Sequence, residues 1–313
     1  MLHEILINQT ILNPQINYLL FLQNLRTPEL DILFLHITRL AESIVPYMFI
    51  SLCYWLLDKR TGFVLFLALQ LGMMTKDILK EIAFVNRPWL LSDKVQPVEI
   101  AKAHAPGYSF PSGHTVRGIT AISGISIATW KNNKFISLFF ILLGIAVLFS
   151  RNYLGVHTSQ DVIVGFLISV IYLFAAVKFF NWIDKKEKGY LIFAGAVVFI
   201  AIGIISIIAM GIIKQEIMSY YAEIAFLIGI CIGYYFDKKY IKYEIPQVSI
   251  YKKSIIAVVG IIALYATLHI VYNILSGTNF ETYNRIVAYF CMSIFSTIIY
   301  PSVIKFISKS NKL

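Results

Sequence analysis

The chain has 313 residues, of which 58% are hydrophobic, 15% aromatic and only 14% charged, with a mean hydropathy of +0.73. A soluble domain runs about 45–50% apolar and about 25% charged, so this composition excludes a single water-soluble core and makes lipid the solvent. The formal charge of +10, from 27 Lys+Arg against 17 Asp+Glu, leaves nucleic acid or acidic lipid as partners until the cations are placed along the chain.

From the N-terminus, residues 1–15 lack the basic start and apolar core of a cleavable signal peptide. Asn8-Gln9-Thr10 matches a glycosylation acceptor, a triplet common by chance. Residues 16–25 predict an interfacial helix ended by Arg26-Thr27-Pro28. A spanning helix needs about 20 mainly apolar residues, and nine segments qualify: 32–57, 62–83, 112–130, 135–151, 160–182, 190–213, 219–236, 253–275 and 286–308. The expected fold is therefore all-α, a polytopic membrane helical bundle. Cys53, Cys231 and Cys291 each lie in an apolar run, with neither disulfide nor zinc spacing, and read as small buried hydrophobes. Gly229-x3-Gly233 predicts close packing between helices.

The cations divide by connection. The segments holding Asp58-Lys59-Arg60, residues 131–134, 184–188 and 237–253, and the tail after Ile304, together with Lys178, carry 16 of the 27 Lys+Arg. The remaining 11 are Arg26, Arg39, Lys76, Lys80, Arg87, Lys94, Lys102, Arg117, Arg151, Lys214 and Arg285. The positive-inside rule puts the first set in the cytoplasm and the second on the extracytoplasmic or lumenal face. Nine spans then give an outer N-terminus and a cytoplasmic C-terminus. The basic balance is a membrane-topology signal meeting acidic headgroups, with no nucleic-acid partner.

Ionisable groups inside spans cost about 2.5–3.5 kcal/mol each at mid-helix and default to functional hypotheses. The first five spans carry Arg39, Glu42, Lys76, Asp77, Lys80, Glu81, His114, Arg117, Arg151 and Asp161. Spans six to nine read as free of intramembrane charge, with His269 between Tyr265 and Tyr272 as a packing histidine. Three clusters sit at outward helix ends: Lys80-x6-Arg87-Pro88, Pro111-Ser112-Gly113-His114, and Ser150-Arg151-x5-His157-x3-Asp161. Together they converge three cations, two imidazoles and a carboxylate, the makings of an oxyanion site. Arg87 and Arg151 offer planar donor forks and Lys80 a point charge. Ser112 and Gly113 lie where a helix begins, so backbone N–H groups and the helix dipole favour an anion. His157 and Asp161, four apart, share a helix face, so the carboxylate fixes one ring nitrogen and the other presents its lone pair. His114 is a second imidazole, free to act as acid. Taken singly, each cluster has an ordinary structural reading as a snorkelling anchor, an N-cap or a local hydrogen bond. Their joint order on one face argues against three accidents.

All eleven specified positions of these clusters match the three-part signature of the type 2 phosphatidic acid phosphatase (PAP2) superfamily, and the chain resembles that family over roughly residues 60–182. The flanks, such as Lys76-Asp77-Ile78-Leu79-Lys80, look most like the glucose-6-phosphatase and sphingosine-1-phosphate phosphatase branches. The resemblance implies a six-helix core, placed at 1–187 with its N-terminal interfacial segment, and additional C-terminal helices at 188–313 of unassigned role. It also implies hydrolysis of a phosphomonoester or pyrophosphate through a phosphohistidine, with no metal and no cofactor. On that carry-over His157 is the nucleophile, Asp161 orients it and His114 protonates the leaving oxygen. Lys80, Arg87, Ser112, Gly113 and Arg151 hold the phosphoryl oxygens.

Outside the signature, Lys76 and Arg117 are candidates for substrate recognition, against a structural alternative in which Arg117 pairs with Asp77 or Glu81. Leu90, Leu91, Val95, Val98 and Ile100 make the 89–110 loop a lid or an interfacial anchor. A lipid phosphate or polyprenyl pyrophosphate at the bilayer surface is the favoured substrate, with a soluble sugar phosphate second. A transporter is the alternative of a different class, disfavoured by the uncharged back half and the lack of an inverted repeat.

Overall fold

Every regular element in the computed structural model is a helix among the described residues, 2–211, 217–278 and 283–310. Lys214, one of the outer cations, and the end of the 190–213 segment lie outside them. The chain divides into two compact units, residues Met1–Pro46 with Leu71–Phe174, and residues Tyr47–Gln70 with Ala175–Leu313. Residues 47–70, inside the expected 1–187 core, thus group with the C-terminal helices.

In the first unit the N-terminal helix is longer than predicted, Gln9–Asn24. Its N-cap is Asn8, whose side chain accepts from Thr10 N at 2.9 Å, so the acceptor-like triplet is a helix start. Leu12, Ile16 and Leu19 pack on Val95 of the 89–110 loop, while Ile11 and Phe21 face outward, the two-faced pattern of an interfacial helix. Thr27 caps the next helix, Pro28–Arg39, with Pro28 at its first position.

The predicted 32–57 span is not one helix. It stops at Arg39, turns through residues 40–44 with Ser43 at φ 47°, and resumes as Val45–Leu56. Pro46 supplies the reason: it has no N–H for the carbonyl of Glu42, so the helix restarts around it. The 112–130 segment is helical only from Gly113 to Thr129, passing from α through a π turn at Gly118–Ile122 and a 3-10 turn at Ser123–Ile125. Among the described residues seven helical stretches are long and apolar enough to cross a membrane, Lys59–Leu91 (regular helix to Ala83, then the short Pro88–Leu91 turn), Lys134–Tyr153, Ser159–Ile183, Gly189–Ala209, Met218–Ile241, Ile250–Leu275 and Asn284–Ser308. The other two expected spans fall short because one is broken and one is brief.

In the second unit an aromatic cluster of Phe63, Phe180, Phe193 and Tyr234 packs with ring centroids 5.3–6.2 Å apart. His269 lies on the Tyr265 ring with centroids 4.3 Å apart, a packing role. The expectation of an uncharged back half needs correction. Glu223, in the Ile217–Phe236 helix, is buried, and so is Asp237 just beyond it. Asp237 accepts from Lys59 Nζ and from Tyr243 N, both at 2.8 Å, so it ties chain segments together.

Gly229 and Gly233 do pack closely, within the chain: a Cβ at either would collide with Ser293 or Thr297 of the facing segment. Gly233→Leu is expected to lower the melting temperature in detergent by an amount equivalent to about 1–3 kcal/mol, the usual cost of overpacking. An unchanged melting temperature would show that the two segments separate at no cost.

Candidate active site

Each predicted cluster is positioned by a helix end in the first unit. The Lys59–Ala83 helix carries Lys76 and Lys80 and ends in Phe84, held at φ 50°. A left-handed phenylalanine costs about 1–2 kcal/mol, and it turns the chain so that Arg87 follows Lys80 within a few residues. Pro88 then opens the short Pro88–Leu91 helix. Gly155, at φ +73°, makes the turn between the Lys134–Tyr153 and Ser159–Ile183 helices, leaving His157 between them.

His157 is the centre of the arrangement. It is buried, and Arg87 Nη1 lies 3.0 Å from its Nε2 while Asp161 Oδ2 lies 3.4 Å from its Nδ1. A guanidinium can only donate, so Nε2 must be the acceptor nitrogen and Nδ1 the protonated one. Ser109 shares this side: its Oγ donates to Asp161 Oδ2 at 2.5 Å and sits 3.3 Å from Nδ1. Asp161 Oδ2 also accepts from Thr158 N at 2.8 Å, half of a capping box at the helix start. Asn152 donates to the His157 carbonyl at 2.9 Å. Burial, reinforced by Arg87, Arg151 and Lys80, pushes His157 well below the ordinary histidine range and keeps it neutral.

The two arginines differ in their bonding. Arg87 also donates to the carbonyls of Val156 (3.0 Å), Pro106 (2.8 Å) and Gly107 (3.0 Å), pinning the end of the 89–110 loop. Arg151 is 1% exposed and donates Nη1 to Thr38 Oγ1 at 2.5 Å, yet its Nε and Nη2 have no hydrogen-bond partner. Lys80 lies within electrostatic reach of Arg87, Asp161, Lys76 and Asp77. Two buried donors without acceptors, in a ring of cations, leave room in the bonding for an anion.

Ser112 requires a correction. Its backbone N–H is taken by the Asp161 carbonyl at 2.9 Å, and its Oγ accepts from Thr115 N at 3.4 Å as the N-cap. That amide is spent on joining the second and third clusters, so Gly113 carries the anion-facing expectation at this helix start. Lys76 lies against Gly113 and is ion-paired with its neighbour Asp77. His114 Nε2 lies 3.5 Å from Glu42 Oε1, too long for a good hydrogen bond.

The structure thus gathers Lys80, Arg87, Ser112, Gly113, His114, Arg151, His157 and Asp161 into one cluster, with Lys76 and Arg117 at its edge. Sequence reasoning missed Ser109, Thr158, Thr38 and Asn152, neutral groups that carry no charge signal within apolar surroundings. Glu42 was visible as an intramembrane charge but had no assigned partner. Among the described residues no group of three or more His, Cys, Asp or Glu side chains could hold a metal ion.

The 89–110 loop is tied down by the Arg87 bonds and by Val98 N to Leu154 O at 3.1 Å. Val95 is buried under the N-terminal helix, whereas Leu90 and Ile100 are exposed, as are Ile82 and Phe84.

Comparison with known proteins brings these residues together with a family. The profile of the PAP2 superfamily matches residues 61–185, and that of the PAP2 superfamily phosphatase transmembrane extension matches residues 221–312. Phosphatidylglycerophosphatase B of Bacillus subtilis (strain 168) is 30% identical over 177 residues, covering 53% of this chain and 81% of that protein. Sphingosine-1-phosphate phosphatase 1 of Mus musculus is 25% identical over 161 residues, 49% of this chain but only 36% of that protein. Undecaprenyl-diphosphatase BcrC of Bacillus subtilis (strain 168) is 29% identical over 154 residues, 48% of this chain and 75% of that protein.

Proposed function

Because this chain belongs to the PAP2 superfamily, we propose that it is a metal-independent membrane phosphatase acting on a lipid phosphate monoester or a polyprenyl or lipid pyrophosphate. One observation carries the reading: His157 is held with Nε2 as acceptor and Nδ1 toward Asp161, beside Arg151 with two buried donors unmatched. Nε2 attacks the phosphorus in line, forming a phosphohistidine as the bond to the leaving oxygen breaks and His114 protonates that oxygen. Water then attacks the phosphorus and releases phosphate, restoring His157. Charge on the equatorial oxygens is met by Lys80, Arg87, Arg151 and the Gly113 amide, preorganised electrostatics that supply the largest share of catalysis in such sites.

The relatives' names each specify a phosphate or diphosphate on a lipid, which supports a lipid-linked substrate. The exposed Leu90 and Ile100 suit an interfacial anchor beside the site. The charge distribution supports an active site on the extracytoplasmic or lumenal face and a cytoplasmic C-terminus. Lys76 and Arg117 are assigned to recognition of the substrate's remaining polar groups.

Phosphate release by the purified protein tests this reading, with phosphatidic acid, a polyprenyl pyrophosphate, a sphingoid phosphate and glucose 6-phosphate run in parallel, each with and without EDTA. Turnover of a lipid substrate unaffected by EDTA is the expected result. Preference for glucose 6-phosphate would move the substrate to a soluble ester. Loss of turnover with EDTA would overturn the metal-independent mechanism. No turnover, with saturable uptake in vesicles, would replace the enzyme by a transporter.

A further inference from the structure

The phosphatase reading uses His114 as the acid but leaves unexplained what holds a proton on it. The ring has little exposure, and Arg151, Arg117, Arg87 and Lys80 all act on it as cations, an environment that opposes imidazolium. A carboxylate opposes them. Glu42 Oε1 lies 3.5 Å from His114 Nε2, and that nitrogen has no hydrogen-bond acceptor of its own among the described residues. Glu42 belongs to the 40–44 turn, outside the 61–185 region matched by the superfamily profile. The helix break at Pro46 and the left-handed Ser43 put it there.

We infer that Glu42 is the positioning residue for the reaction's acid: its carboxylate holds the Nε2 side of His114 and leaves Nδ1 to carry the proton that is transferred. The inference rests on the phosphatase reading above. In the step concerned, the P–N bond to His157 forms and the P–O bond breaks. Its electron pair stays on the leaving oxygen, which takes the proton from His114 Nδ1. The neutral ring keeps Nε2–H against Glu42. Water that attacks the phosphohistidine returns a proton to Nδ1, closing the cycle.

The site then contains two histidine–carboxylate pairs in different surroundings. His157 meets Asp161 on one nitrogen and the Arg87 guanidinium at 3.0 Å on the other, which selects the neutral base. His114 has the Glu42 carboxylate 3.5 Å from Nε2 as a counter-charge to the cations around the ring.

Glu42→Gln and Glu42→Asp, assayed in detergent on a lipid phosphate and on p-nitrophenyl phosphate, test the assignment. The alkoxide leaving group of the lipid needs the proton, whereas p-nitrophenolate departs without it. Glu42→Gln is expected to lower kcat on the lipid by about a hundredfold or more, the scale of general acid catalysis, and to change kcat on p-nitrophenyl phosphate less than about threefold. The alkaline limb of kcat/KM on the lipid moves to lower pH, and Glu42→Asp restores a substantial part of the loss.

An equal loss on both substrates, or an alkaline limb that stays in place, would overturn the inference. If Glu42→Gln fails to fold by size exclusion, the same substrate split in Glu42→Asp decides. Phosphate release from neither substrate by the unmutated protein would instead bring down the phosphatase reading itself.

Discussion

His157→Ala is expected to reduce phosphate release by about 10⁴-fold or more, the scale on which removal of a covalent nucleophile acts. Arg87 at 3.0 Å can only donate to Nε2, and Asp161 with Ser109 occupies the Nδ1 side, so one tautomer is set before substrate arrives. Attack requires that Nε2 carry no proton. Burial and the surrounding cations hold His157 well below the ordinary histidine range, so it stays neutral at working pH.

The sign for activity follows. The acid limb of kcat/KM that belongs to His157 lies below the ordinary histidine value of about 6.5. For stability, the unfolded state binds a proton on this histidine before the folded state does. The contribution from His157 is full above the unfolded value and is lost as pH falls through the window down to its depressed folded value. Quenching in alkaline detergent during turnover of a radiolabelled phosphate substrate checks the chemistry directly. The unmutated protein retains acid-labile label and His157→Ala retains none. Label bound equally by both would assign the nucleophile elsewhere.

The site was legible because its chemistry is charged and its solvent is lipid. Lys80, Arg87, Arg151 and Asp161 are expensive within apolar helices, so their positions stand out without any alignment. Ser109, in the loop before the second cluster, and Thr38, in a helix, escape for the opposite reason: a neutral hydroxyl carries no charge penalty and reveals its partner only in three dimensions. The 32–57 segment reads as one span because its apolar run hides Pro46, whose missing N–H breaks the helix. Glu223 does not stand out because one carboxylate barely alters the mean of a 20-residue helix. A helix start makes the Ser112 amide a candidate anion donor, whereas folding gives it to the Asp161 carbonyl. Helix ends show where donors are free in principle, and tertiary contacts decide which of them remain free.

Arg151→Met separates an anion-binding cation from a structural one. Among the described residues Arg151 has a single hydrogen bond, to Thr38 at 2.5 Å, and two buried donors with no acceptor. Each buried donor left unmatched costs about 1–3 kcal/mol, so without ligand this guanidinium is a stability liability. Methionine fills a similar length of space and removes both the charge and the unmatched donors. The expected result is therefore divided. kcat/KM falls by about 10²–10³, as for loss of an oxyanion donor, while the melting temperature without ligand is unchanged or rises.

Arg87→Met should behave differently, because the carbonyls of Pro106, Gly107 and Val156 lose their donor and the 89–110 loop loses its tether. Activity and melting temperature fall together in that variant. Inorganic phosphate sharpens the contrast: an anion that binds only the folded state raises the melting temperature as its concentration exceeds Kd. The unmutated protein is expected to respond and Arg151→Met to respond little. A large loss of ligand-free stability in Arg151→Met, with the phosphate response intact, would make Arg151 a structural brace held by Thr38 and leave the anion to Lys80 and Arg87.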